Sequence, residues 1–181
     1  MGLSRKELTR DEFETSIRMM RKESDRASAV MGAALTEEGL TEVMVAFMKN
    51  GRDRKALFED VGAPFGTFKS KTVAAHALGL IGDDVKEQLD VIRWIRNQFS
   101  HALLAISFET PQIAASCAKL GDYQPIDIAD CPIDDSGSNR FKYEANCTGI
   151  WLKLNERCIA EHEKKTQEFM RLIAQSKNAV R

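Results

Sequence analysis

The chain has 181 residues, a formal net charge of −1, 43% apolar and 29% charged residues. That length suits one domain with a sizeable core, and the composition excludes a disordered polymer. A near-neutral chain has no overall attraction for nucleic acid, so any such binding must rest on a local basic patch. With no basic-then-apolar leader and no apolar run of spanning length, a cytoplasmic protein outside the membrane is expected.

Thr9-Arg10-Asp11-Glu12 is a capping box that predicts a short helix through Phe13, Ile17 and Met20. Ser24-Asp25 caps a longer helix. Its apolar positions, among them Ala27, Val30, Met31, Val43, Met44 and Phe47, keep helical spacing up to the stop signal Asn50-Gly51. Gly39 weakens the middle of that helix and marks a place for a kink. Lys55 to Glu59 suits one turn, Val61 to Gly66 a loop, and Thr67 caps a helix carrying Phe68, Ala74, Ala75 and Leu78. Asp83 caps an apolar-striped helix expected to end near Ile106, and Thr110-Pro111 starts a short one that stops at Gly121. Residues 122–139, with Pro125, Pro132 and Gly137, read as an irregular loop with room for mobility or a role of its own. A helical pattern closes the chain from Arg140 to Ser176 through Trp151, Leu152, Ile159 and Phe169, with Gly149 as a break point. No strand-like alternation, repeat or low-complexity tract competes. The expectation is one all-α domain over 1–181, an irregular helical bundle.

The helix opened by Asp83 carries the chemistry. Val85, Leu89, Ile92, Arg96, Phe99 and Leu103 recur at three- and four-residue steps and share one face, so Arg96 interrupts an apolar seam. Asn97 and His101 lie one turn apart on its flank. A permanent cation and an imidazole beside apolar surface are costly unless a neighbour or a ligand satisfies them. RNA is cleaved without a metal when the ribose 2′-hydroxyl attacks the adjacent phosphorus. Histidine suits the acid or base of that step and arginine the phosphate charge. About 140° of helix rotation separates Arg96 from His101, so one copy converges poorly on one phosphate. Two copies meeting across a two-fold axis at the seam would converge better. The bland alternative is that both residues are satisfied by carboxylates of neighbouring helices.

Other clusters are weaker. Arg18, Arg21, Lys22 and Arg26 form a modest basic patch, a solvated face or an RNA contact. Lys69 and Lys71 stand in the first turn of a helix, the unfavourable end for a cation, which is compatible with an anion site. Trp94 reads as a packing or interface residue, and His76 and His162 have no partner by spacing. Cys117, Cys131, Cys147 and Cys158 form no Cys-x-x-Cys pair and are expected reduced. Cys158 and His162 have zinc-compatible spacing but no second pair, so no metal is expected. Phosphate-binding loops, dinucleotide fingerprints, nucleophile elbows and helix-turn-helix patterns do not occur, and no cofactor is expected.

Glu23-Ser24-Asp25-Arg26-Ala27, Ala56-Leu57-Phe58-Glu59, Gly62-Ala63-Pro64-Phe65-Gly66-Thr67-Phe68, Ala77-Leu78-Gly79-Leu80-Ile81, Ile92 to His101 and Ser107-Phe108-Glu109-Thr110-Pro111 resemble, in that order, the bacterial mannitol repressor family. The likeness covers about 23–120, and the C-terminal third shares only its helical character. Arg96-Asn97-x-x-x-His101 is similar to the signature of the broader HEPN superfamily of small helical proteins, which includes toxin and defence ribonucleases. The family resemblance implies a negative regulator of a carbohydrate-uptake operon without a DNA-binding motif, acting through a protein partner or RNA. The superfamily resemblance implies a homodimeric, metal-independent endoribonuclease on a HEPN-like bundle. There Arg96 would stabilise the phosphorane, His101 would act as acid or base, and Asn97 would orient them. A third reading is a non-catalytic interaction module.

Overall fold

A computed structural model describes residues 9–48, 51–129, 131 and 137–179. Its elements are α-helical: α1 (Arg10–Lys22), α2 (Asp25–Phe47), a 3-10 turn at Gly51–Asp53, α3 (Arg54–Phe58), α4 (Phe68–Ala77), α5 (Asp83–His101), α6 (Pro111–Cys117) and α7 (Asn139–Ala179). Among the described residues there is no strand, only an isolated bridge between Ile128 and Cys131. The helix starts follow local chemistry. Thr9 and Glu12 close a capping box on α1, the Ser24 hydroxyl accepts from the Ala27 amide, and Thr67 and Ser70 close a box on α4.

α2 and α7 form the spine and run parallel. The Tyr143 hydroxyl donates to the Ala29 carbonyl at 2.7 Å near their starts, and Lys165 hydrogen-bonds the Ala46 carbonyl near the end of α2. Small residues permit the close approach. A Cβ on Gly32 would meet the Cys147 sulfur and the Tyr143 ring, and one on Gly39 would meet Leu154 and Trp151. α2 therefore stays helical through Gly39, whose work is packing. α7 likewise passes unbroken through Gly149, where the Tyr123 ring lies on the space a side chain would fill.

α5 runs antiparallel to α2. Val85, Leu89, Ile92, Ile95 and Phe99 are buried in the main core with Leu40, Phe108, Tyr143 and Ile150. Burying an aliphatic side chain of this size contributes about 2 kcal/mol, so this face is committed inside its own subunit. A second cluster joins Phe13 and Ile17 of α1 to Leu35, Ile128, Cys131 and Trp151, with Phe13 stacked on Trp151 at 4.0 Å. Arg21 ties the loop into it by donating to the Ile126 and Cys131 carbonyls. The described part of the 122–139 loop is thus anchored. Asp130 and residues 132–136, on which much of the expectation of mobility fell, lie outside the described residues.

The end of α5 differs from expectation. α5 stops at His101 rather than near Ile106. The Arg26 guanidinium donates to the Ala102 carbonyl at 2.7 Å, and the Phe108 amide donates to Asp25 at 3.1 Å. These ties pull the chain off the helix axis so that Phe108 enters the core. Leu103 leaves the seam and is fully exposed, 100%, beside exposed Leu104.

Candidate functional site

The C-terminal end of α5 and the start of α6 enclose a cleft of about 260 Å³, lined by Asn97, Gln98, His101, Ile106, Thr110 and Gln112 among others. His101 is the last residue of α5, exposed, and its side chain makes no hydrogen bond among the described residues. Amides, a hydroxyl and an imidazole therefore face solvent in one concavity, with Ile106 and Ile113 as an apolar wall. Such a surface offers donors and acceptors with no fixed charge of its own.

Arg96 points elsewhere. Its Nη1 donates to Asn97 Oδ1 at 3.1 Å, and its Nη2 lies 3.8 Å from Glu37 Oε2 on α2, with the side chain 34% exposed. Glu37 gives its other oxygen to Lys71 at 2.9 Å. The contact with Arg96 is at the outer limit for an ion pair, so the guanidinium is only loosely held. Asn97 is the physical link, touching Arg96 and lining the cleft with His101. Arg96 is not among the cleft-lining residues, in keeping with its rotation on the helix.

The expected anion-binding residues divide. Lys71 is buried and committed to Glu37, so its ammonium is not available to an external anion. It stands in the first turn of α4 as expected, but its side chain turns inward rather than toward an external anion. Lys69 and Lys22 are exposed. Arg18 pairs with Glu14 at 3.2 Å, while Arg21 and Arg26 brace loops through backbone carbonyls. These cations are therefore largely struts rather than one open patch.

The apolar residues of the α5 seam are covered by the chain's own core and are not open to a second copy. His76, which has no partner by spacing, meets Asp83 at 2.8 Å. Trp94 packs partly buried against the core. Cys158 and His162 line a second concavity between α2 and α7 with Glu38, Glu42 and Trp151. Among the described residues, no three His, Cys, Asp or Glu side chains converge as a metal site. All four cysteines are free and buried. Burial raises the Cys117 thiol to about 12, with the Glu109 carboxylate adding to the rise and Lys142 opposing it. It also pushes the Cys147 thiol far up, so neither is a nucleophile.

Reading from sequence missed Glu37, Gln98 and Gln112. Glu37 carries no local signal, since only the packing of α2 against α4 and α5 brings it to two cations. The Thr110-Pro111 helix start was the signal available for the far wall of the cleft. No helix among the described residues is long and apolar enough to cross a membrane. No family model matches the chain, and neither a curated protein nor a solved structure matches it.

Proposed function

We propose that this chain is a cytoplasmic negative regulator of gene expression of the mannitol-repressor type, on a HEPN-like helical scaffold, acting through a protein partner or RNA rather than by reading DNA. The observation that carries this reading is the cleft at the end of α5. It presents Asn97, Gln98, His101, Thr110 and Gln112, and the exposed Leu103 and Leu104 follow directly after the helix. Hydrogen-bonding groups beside exposed apolar side chains suit a docked partner. The segments resembling the family also meet in space. Asp25 accepts from the Phe108 amide, and Phe65 donates its amide to the Leu57 carbonyl while its ring packs on Phe58. Against direct DNA reading stand the net charge of −1 and the internal commitments of Arg21, Arg26 and Lys71.

Titration of labelled duplex DNA with the purified protein at physiological salt tests the reading. Weak, sequence-indifferent binding is expected, and tight sequence-selective binding overturns it. A second reading, a metal-independent endoribonuclease, is favoured by one observation: His101 is exposed, its side chain without a partner among the described residues, beside an Asn97 that holds the loosely paired Arg96. Incubation with total RNA in chelator decides it. Cleavage by wild type and not by His101→Ala would make the ribonuclease the leading function.

A further inference from the structure

The α5 seam is spent within its own subunit, whereas α7 leaves apolar side chains open. Lys165 hydrogen-bonds the Ala46 and Met48 carbonyls where α2 ends. From there α7 runs on to Ala179, about 21 Å further at 1.5 Å per residue. Ile159, His162, Thr166 and Phe169 follow at three-, four- and three-residue steps and form one stripe, the spacing of a two-helix seam. Ile159 is 51%, Phe169 63% and the adjacent Met170 61% exposed. Long apolar side chains left this open on a helical stripe call for a cover.

Charge identifies the cover. Residues 156–163 carry Glu156, Glu161 and Glu163 against Arg157, a net −2, while 164–171 carry Lys164, Lys165 and Arg171 against Glu168, a net +2. We infer that this half of α7 pairs antiparallel with the same half of α7 in a second copy of the chain. A parallel pair would stack acidic on acidic and basic on basic and align the two helix dipoles. The antiparallel pair sets the net −2 block of each copy against the net +2 block of the other. Its centre falls at Lys164, which sets Ile159 against Phe169 of the second copy and His162 against Thr166 of the second copy. The contact is isologous and closes as a dimer. The inference rests on α7 alone, and its failure leaves the proposed function untouched.

Sedimentation equilibrium of the full chain over the micromolar range tests it, with 20.3 kDa as the monomer mass. Wild type should approach twice that mass. Phe169→Glu with Met170→Glu should sediment as a monomer with an unchanged helical circular dichroism spectrum, since both side chains are exposed. Because the four native thiols are buried, introduced cysteines report the orientation. A mixture of His162→Cys and Thr166→Cys should form a disulfide-linked dimer far more readily than either variant alone. A wild type that stays monomeric overturns the inference and leaves the stripe to a different protein. A dimer that survives the double glutamate variant overturns it too, as does equal self-crosslinking of each cysteine variant, the mark of a parallel pair.

Discussion

Glu37 shows how one carboxylate settles what two cations can do. It holds the buried Lys71 at 2.9 Å and leaves Arg96 at 3.8 Å, so one cation is structural and the other is only steered. Glu37→Gln strands an ammonium in the interior and should cost about 3 kcal/mol in chemical unfolding. Lys71→Met removes the charge with its volume kept and should cost clearly less. Equal losses would mean that the pair is not the relevant interaction. His101, by contrast, is exposed, and His101→Ala should leave stability within about 1 kcal/mol of wild type. The buried thiols set the alkaline limit. Cys117 is held protonated up to about 12 in the fold against an ordinary value of 9.0. The unfolded chain loses that proton first, so stability is unaffected below pH 9 and falls as pH rises from 9 towards 12. Cys117→Ala should flatten that fall in unfolding titrations across the alkaline range.

The helix starts at Thr9, Ser24 and Thr67 were legible in the sequence and the end of α5 was not, for a physical reason. The caps at Thr9, Ser24 and Thr67 are bonds between residues three apart, so a short window contains them. The end of α5 is fixed by Arg26 and Asp25, more than 70 residues away in sequence. Gly149 looked like a break because its partner, Tyr123, reaches it only across the fold. Gly149→Ala should displace that ring and cost about 1–3 kcal/mol in thermal or urea unfolding. The loss should shrink in a Tyr123→Ala background, where the clash is gone. Undiminished loss in that background would assign the effect to the helix itself. The α5 stripe carries the same lesson at the candidate site. Periodicity identified its apolar face, and with it the places of Arg96, Asn97 and His101, but periodicity does not say what covers a face. The core covers it.

In the whole molecule, a parallel spine of α2 and α7 carries an antiparallel α5, and the end of α5 is the polar cleft. The cleft and the projecting half of α7 lie on different elements, so a partner on the one need not displace a second copy on the other. Under the proposed function a partner would dock at Asn97 and His101, while Arg21 and Arg26 brace loops. The most direct test is restoration of transcript levels in a strain deleted for this gene, using the wild-type chain or Asn97→Ala with His101→Ala at matched abundance. Wild type is expected to restore the altered transcripts, and the double variant, folded to the same stability, is not. Restoration by the variant as full as by wild type would contradict it.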